Sequence, residues 1–315
     1  MKIIVTGAAG FIGSHLSEAL VKKGYRVIGI DSFFNNYSRK IKRKNISNLL
    51  NSKRFTFINE DLIKTNFDAI LPGTEYIFHL AAVPGVRTSW GKQFSKYLKN
   101  NLLATQIFLE QVKNYKIKKF VYSSSSSIYG DQDKLPISED APKNPISPYG
   151  VTKLAAEKIC EVFASEFNVP IVCLRYFTVY GPRQRPDMAF HRFILNILQN
   201  KSIQVYGDGN QKRDYTYVTD VVKATQSAAF YEGNEIFFNI GGNKETSIKQ
   251  ILQMLKKITG KERIKVEYTG RKKGDMLHTY SDITKAVNCL DYAPQFSLEE
   301  GLKQQYLWMK SDQMP

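Results

Sequence analysis

Cysteine, histidine and tryptophan are all scarce in this chain, at three, four and two residues among 315. Each scarcity excludes something. Cys160, Cys173 and Cys289 form no CxxC pair, so neither a disulfide scaffold nor a zinc knuckle is available. Cys160 and Cys173 sit in apolar stretches and read as core residues of a reducing compartment. His15, His79, His191 and His278 show no metal-ligand spacing, and no metal site is expected. His79 closes an apolar strand pattern, where a structural histidine belongs. No apolar run reaches the ~18 residues a membrane span requires, so no membrane association is expected. The stretch Met1 to Gly13 is small and apolar. It carries neither a basic leader nor a cleavage pattern, which predicts a cytoplasmic protein.

Acidic residues are also in short supply. The chain has 29 Asp and Glu against 45 Lys and Arg, a net charge of +16. Such an excess suits nucleic acid, yet no zinc finger or other nucleic-acid module accompanies it. Apart from a local basic cluster, Arg39-Lys40-Ile41-Lys42-Arg43-Lys44, of which Arg39 and Lys40 read as solvated loop cations, the charge is spread along the chain. A lysine-rich surface around a site for phosphate-bearing small ligands accounts for it, and no nucleic-acid partner is expected. The 43% hydrophobic and 23% charged content is ordinary for a globular protein. The length allows one large domain or two smaller ones sharing a cleft.

What is present is a rhythm. Lys2–Thr6, Arg26–Asp31, Phe55–Ile58, Tyr76–His79, Phe120–Ser123 and Ile171–Leu174 read as buried strands. Phe11–Lys23, Lys92–Asn114 and Pro148–Phe167 read as the helices between them. Alternation of this kind implies an α/β fold, a parallel sheet covered on both faces. After about Tyr180 the rhythm loosens. Helices are expected at Ala189–Gln199, Val218–Tyr231, Ser247–Thr259 and Ser297–Lys310, with strands at Ile236–Ile240 and Ile264–Glu267. The expected division is a first domain over 1–177, with segments near 215–243 returning to it, and a smaller lobe over 178–315.

Thr6-Gly7-Ala8-Ala9-Gly10-Phe11-Ile12-Gly13 joins the first strand to the first helix. Its glycines allow a tight turn and close approach of backbone to a pyrophosphate, which the helix N-terminus attracts. Asp31 lies 18 residues beyond Gly13, at the end of the second strand. A carboxylate there accepts from an adenosine ribose diol and repels a 2′-phosphate, so NAD is expected rather than NADP. Asp61-Leu62 fits an adenine contact or a helix N-cap at Asp61. His79-Leu80-Ala81-Ala82 ends a strand with small residues that let a cofactor pass closely.

Ser147-Pro148-Tyr149-Gly150-Val151-Thr152-Lys153 opens a helix, with Ser147 suited to the N-cap and Pro148 to N1. Tyr149 and Lys153 then share one face. A tyrosine is a poor base at its usual pKa of about 10. The neighbouring ammonium of Lys153 and a nicotinium ring are expected to favour tyrosinate. Ser125, at the end of the fifth strand, is placed to bond the reacting oxygen and share its proton with Tyr149.

Taken with Phe120–Ser125, Leu174-Arg175-Tyr176-Phe177, Val179–Arg183, Tyr206–Gly209, Arg213-Asp214-Tyr215, Asn239-Ile240-Gly241 and Gly274-Asp275, these motifs identify a family. The chain resembles the extended short-chain dehydrogenases/reductases, specifically the sugar-nucleotide epimerases and dehydratases. The resemblance covers nearly the whole chain. It implies a Rossmann-type domain holding NAD, a C-terminal lobe holding a nucleotide diphosphate, and a homodimer paired through Lys92–Asn114 and Pro148–Phe167. It implies cofactor contacts from Asn101, Ser123 and Phe177, a diphosphate contact from Arg213, and nucleoside contacts from Asp275 and Tyr206. Further substrate contacts are expected at Gly85, Arg87, Ala189, Phe190, Arg192 and Gln204. Lys272 stands where relatives often carry an arginine; it supplies charge but no bidentate fork.

Members of the family begin by oxidising C4 of the sugar. Dehydratases resemble T-D-E-V-Y-G and decarboxylases T-S-E-V-Y-G. Here the stretch is Ser125-Ser126-Ser127-Ile128-Tyr129-Gly130, without a carboxylate for elimination. Epimerisation needs none. Thr178 together with Arg185-Pro186-Asp187-Met188-Ala189 resembles UDP-glucuronate 4-epimerases. Arg185, Thr178, Ser126 and Ser127 are the candidate donors to a uronate carboxylate, although Arg185 on chemistry alone equally suits a diphosphate. The alternatives are a UDP-glucose or UDP-N-acetylglucosamine 4-epimerase, a UDP-glucuronate decarboxylase, and a non-catalytic NAD sensor.

Overall fold

Apolar runs bounded by turns become the strands of the computed structural model, which describes residues 1–312. The first half contains β1 (Lys2–Thr6), α1 (Phe11–Lys22), β2 (Arg26–Ile30), α2 (Arg39–Asn45), α3 (Ser47–Leu50), β3 (Phe55–Ile58) and β4 (Tyr76–His79). These are followed by α4 (Phe94–Tyr97), α5 (Ala104–Val112), β5 (Lys119–Ser125), α6 (Pro148–Phe167) and β6 (Ile171–Tyr176). The second half contains β7 (Thr178–Tyr180), α7 (Ala189–Leu198), β8 (Ile203–Tyr206), β9 (Lys212–Tyr217), α8 (Val218–Ala229) and β10 (Phe237–Ile240). It ends with β11 (Glu245–Ser247), α9 (Ile248–Thr259), β12 (Val266–Thr269), α10 (Thr284–Leu290) and α11 (Leu298–Asp312).

Seven strands form one sheet in the order β10-β6-β5-β4-β1-β2-β3. Every pairing in it is parallel. Such a sheet needs cover on both faces. One face packs Leu16 and Leu20 of α1, Val221 and Ala228 of α8, and Ala286 and Leu290 of α10. The other packs Phe108, Leu109 and Val112 of α5 and Ala156, Cys160 and Phe163 of α6. This is the doubly wound Rossmann arrangement. The order reverses between β1 and β4, and ligands of such sheets bind beyond the strand ends at that point. A third core joins Phe193 and Ile197 of α7 to Ile251 and Leu255 of α9 and Leu302 of α11. β7, β9 and β11 form a small sheet beside it, and β8 pairs with β12. β10 and α8 return to the first body, and α10 joins them there.

Two expectations change. Lys92–Asn114 is not one regular helix: α4 passes through a π-helical turn, Leu98–Leu103, into α5. Widened turns of this kind mark functional sites, and this one carries the buried Asn101. Arg39 and Lys40 are exposed as expected, but they open helix α2 rather than a loop, and its inner side buries Lys42 and Asn45. Among the described residues, no helix is long and apolar enough to cross a membrane.

Candidate active site

The chain turns sharply after β1. Gly7 adopts φ +69°, a conformation that side chains rarely allow, and a Cβ there would lie 2.9 Å from the Ala81 nitrogen. Gly13 is tighter still, since its Cβ would sit 2.1 Å from the Gly7 carbonyl oxygen. These two glycines let α1 start directly over the strand end. Its cap, Gly10, makes no side-chain hydrogen bond, so the first-turn N–H groups remain available to an anion. At the end of β2 Asp31 accepts from the Ala9 N–H (3.1 Å) and the Phe33 N–H (2.8 Å). Burial raises its carboxyl, while Lys42 and those two N–H groups pull it back. Four lone-pair sites serve these two donors, which leaves acceptor capacity for a ribose diol. The glycine cradle, the open helix end and the carboxylate together fit an adenine dinucleotide.

One cavity runs from this turn to the second lobe. Its wall includes Gly7, Gly10, Phe11, Ile12, Gly13, Asp31, Asp61, Leu62, Leu80, Ala81, Ala82, Ser123 and Phe177. It continues past Ser125, Ser126, Ser127, Tyr149 and Lys153 to Gly85, Thr178, Arg185, Arg213 and Asp275. Asp61 also accepts from the Ile63 N–H as an N-cap and pairs with Lys99 at 3.3 Å. The N-cap reading of that residue holds, and its place on the wall leaves it within the same cavity as the glycine turn.

Ser147 caps α6 by accepting from the Gly150 N–H at 3.1 Å, and Pro148 occupies the first turn. This fixes Tyr149 on the cavity wall. Burial raises its phenol; a hydrogen bond with Ser125 and the positive charge of Arg185 oppose that. The expected push from Lys153 needs correction. Lys153 donates to the Ser123 carbonyl at 2.5 Å and lies 4.5 Å from the centre of the Tyr122 ring. Its charge is thereby anchored under β5, and burial pushes its ammonium down to about 8. Within the protein, Ser125 and Arg185 are the groups that favour tyrosinate.

A buried relay supports these residues from behind. The Ala81 N–H donates to Thr6 Oγ1 (3.1 Å), and Thr6 Oγ1 meets His79 Nδ1 at 2.7 Å. His79 Nε2 meets Thr105 Oγ1 at 3.0 Å, and Thr105 donates its one hydroxyl proton to the Asn101 carbonyl. Only one assignment satisfies every group: Nε2 carries the proton and Nδ1 accepts from Thr6. Burial, reinforced by Lys153, pushes His79 down to about 3 and keeps it neutral. Asn101 in turn accepts from the Val83 N–H (2.7 Å) and donates to the Val83 carbonyl (3.0 Å) and Thr152 Oγ1 (3.1 Å). It lies behind the cavity wall and links that wall to α6. We predict that His79→Leu, which leaves Thr6 and Thr105 without their partner, lowers stability by about 2–4 kcal/mol in chemical denaturation. ¹⁵N NMR of the unaltered protein should report the Nε2–H tautomer.

Other expected residues lie off the wall. Arg87 forks onto Asp275 at 2.7–3.1 Å and stacks 4.3 Å from the Tyr206 ring. Arg192 and Lys272 lie over the same ring at 5.4 and 5.1 Å. Ala189 and Gln204 are exposed, and the Phe190 side chain is in the third core against Tyr180 and Tyr215. Arg213 reaches the wall but gives its N–H groups to the carbonyls of Lys212, Met276 and Leu277, bracing the segment that bears Asp275. Sequence reasoning missed the stretch after β2. There Phe34, Tyr37 and Lys42 line the cavity; Lys42 donates to the Phe34 carbonyl at 2.8 Å and lies 4.8 Å from the Tyr37 ring. The aromatic pair Phe33-Phe34 just ahead of the basic run was the available signal.

This geometry has counterparts. Residues 3–241 match the model of the NAD dependent epimerase/dehydratase family. A crystal structure of UDP-glucuronic acid 4-epimerase from Bacillus cereus, in complex with UDP-glucuronic acid and NAD, superposes with a TM-score of 0.96 at 47% identity over 99% of both chains. An uncharacterised UDP-glucose epimerase of Bacillus subtilis is 46% identical over 99% of this chain and 98% of its own. A UDP-glucuronate 4-epimerase of Thermodesulfobacterium geofontis is 39% identical over 98% and 96%. The nucleotide-binding turn, the Tyr149–Lys153 helix and these full-length likenesses agree: the chain belongs to the NAD-dependent epimerase/dehydratase family.

Proposed function

We propose that this chain is an isomerase that interconverts UDP-glucuronate and UDP-galacturonate by inverting C4. The observation that carries this reading is the chemistry of the wall around Tyr149. The wall that carries Tyr149 also carries the hydroxyls of Ser125, Ser126, Ser127 and Thr178 and the Arg185 guanidinium, and Ser125 and Arg185 act directly on the Tyr149 phenol. The carboxylates among the described wall residues are Asp31, Glu60, Asp61 and Asp275. Asp31 follows β2 and Glu60 and Asp61 follow β3, on the far side of β1 from the β5–β6 pair that α6 joins, and Asp275 is engaged by Arg87. Elimination needs an acid and a base beside the sugar, and this wall offers no spare carboxylate at Tyr149. The donors instead suit an anionic sugar.

The glycine turn, Asp31 and Lys153 would hold NAD, which when bound supplies the hydride acceptor and donor for C4. Tyr149 receives the O4 proton, with Ser125 bonded to the same hydroxyl. Lys153, fixed by the Ser123 carbonyl, keeps a positive charge beneath the site. The 4-keto sugar then turns over within the cavity, and Tyr149 returns the proton at the opposite configuration. Such a ketone is a β-keto acid and tends to lose CO₂. Ser126, Ser127, Thr178 and Arg185 would hold its carboxylate away from the alignment that decarboxylation requires.

The test is incubation of the purified protein with single UDP-sugars. UDP-glucuronate should yield UDP-galacturonate without added NAD, and UDP-glucose should react far more slowly. Equal turnover of the two sugars would sink the uronate assignment, and a UDP-pentose product would indicate a decarboxylase. The reading includes a homodimer. Leu98 and Leu103 on the α4–α5 stretch and Val151, Val162 and Phe167 on α6 are large apolar side chains left exposed, as a helix-paired interface requires. Val162→Glu should halve the mass measured by light scattering; an unchanged mass would place the contact elsewhere.

A further inference from the structure

The Arg185 side chain does not reach the cavity alone. Its Nε donates to Asp187 Oδ1 at 3.0 Å and its Nη2 to Asp187 Oδ2 at 2.9 Å. The backbone prepares this fork. The Met188 N–H donates to the Arg185 carbonyl at 3.1 Å, closing a turn immediately before α7. Pro186 stands second in that turn, where its fixed φ suits the bend. The two partners face different surroundings. Arg185 is 19% exposed and on the cavity wall; Asp187 is 55% exposed and off it. A cation thus faces the sugar site while its counter-ion stands behind it, toward solvent.

We infer that Asp187 is a specificity-determining residue, setting how strongly the site prefers a charged sugar over a neutral one. This rests on the reading that Arg185 meets a uronate carboxylate. A guanidinium has five N–H donors, and Asp187 already engages two of its nitrogens. A carboxylate entering the cavity must share the remaining donors and tolerate a second negative charge across the same group. A neutral hexose meets no such competition. The field of the pair is felt at Tyr37 on the wall and at the buried Tyr97: Arg185 favours the ionised hydroxyl of each, and Asp187 opposes it at both. Asp187 therefore offsets the cation without leaving it free to swing, which limits the hold on either epimer and allows both to leave.

The experiment measures affinity by calorimetry in NAD-loaded protein carrying Tyr149→Phe, so that bound sugar is not turned over. Asp187→Asn keeps the shape and an acceptor oxygen but removes the charge. UDP-glucuronate should then bind about fivefold more tightly, while UDP-glucose affinity changes by less than about twofold. Asp187→Glu, which restores the charge, should return the ratio toward its original value. If Asp187→Asn leaves the ratio unchanged, or weakens UDP-glucuronate, while the unaltered protein still epimerises that sugar, the inference about Asp187 is wrong and the uronate reading stands. If the unaltered protein does not act on UDP-glucuronate, both are overturned. Thermal melting of each variant confirms that the exposed turn tolerates the change.

Discussion

Tyr149→Phe should lower turnover by about three orders of magnitude, the usual scale of losing a positioned general base, while the protein still copurifies with NAD. The substitution removes one oxygen and little else. The ring stays on the first turn of α6, where Ser147 and Pro148 hold the helix start, and it keeps its edge contact with Tyr97 at 6.2 Å between centroids. Lys153 remains bonded to the Ser123 carbonyl, so the cofactor side of the site is undisturbed. In the proposed reaction, what is lost is the proton acceptor for O4. The pH profile carries a second signature. Burial holds the Tyr149 phenol above its ordinary value, with Ser125 and Arg185 pulling against it. The competent tyrosinate grows as pH rises, so turnover in the unaltered protein should climb with pH on its acid limb. The residual activity of the Phe variant should lack that limb. Turnover within tenfold of the original would remove Tyr149 from the chemistry.

The second large effect is expected at Gly13. Its missing side chain is what allows α1 to begin against the β1 turn. A methyl there would lie 2.1 Å from the Gly7 carbonyl oxygen and 3.1 Å from the Ala8 Cα. The turn cannot retreat, because the Gly7 N–H is bonded to the Ile30 carbonyl at 2.8 Å and Gly7 sits at φ +69°. Gly13→Ala must therefore displace the helix from the strand. That spreads the N–H groups meant for a pyrophosphate. Overpacking of this kind costs about 1–3 kcal/mol or more, and NAD content on purification should fall by at least about tenfold, since 1.4 kcal/mol is a factor of ten. Gly270 is a matched control, with nothing within 4 Å of a Cβ and no positive φ; Gly270→Ala should leave NAD content unchanged. Equal NAD content in the two variants would mean that the glycine turn does not hold the cofactor.

These effects were legible in the sequence because their causes are local. A glycine turn between strand and helix, an acidic strand end and a Ser-Pro-Tyr start to a helix each depend on neighbours in the chain. The parallel sheet was legible for a related reason, since strands buried on both faces must be apolar throughout. What was not legible depends on distant partners. The Lys42 burial requires knowing that α2 turns its inner face toward Asp31 and Phe34, and a run of six mostly basic residues hides that face. The π-turn carries Asn101, whose partner Val83 lies 18 residues away in the chain. Arg213 was expected to reach a diphosphate; it does reach the cavity wall, but the register that sets β9 beside Met276 and Leu277 also turns three of its donors to backbone carbonyls. Phe190 follows Ala189 in an attractive motif, yet the amphipathic period of α7 carries it into the third core.

The proposed reaction is a reversible oxidation at C4 that ends in inversion, with the hydride kept within one active site. UDP-glucuronate carrying deuterium at C4, incubated with the purified protein and no added NAD, tests it most directly. UDP-galacturonate should form with the deuterium retained at C4 and no CO₂ released. Loss of the label to solvent, or its appearance in a UDP-pentose, would contradict it.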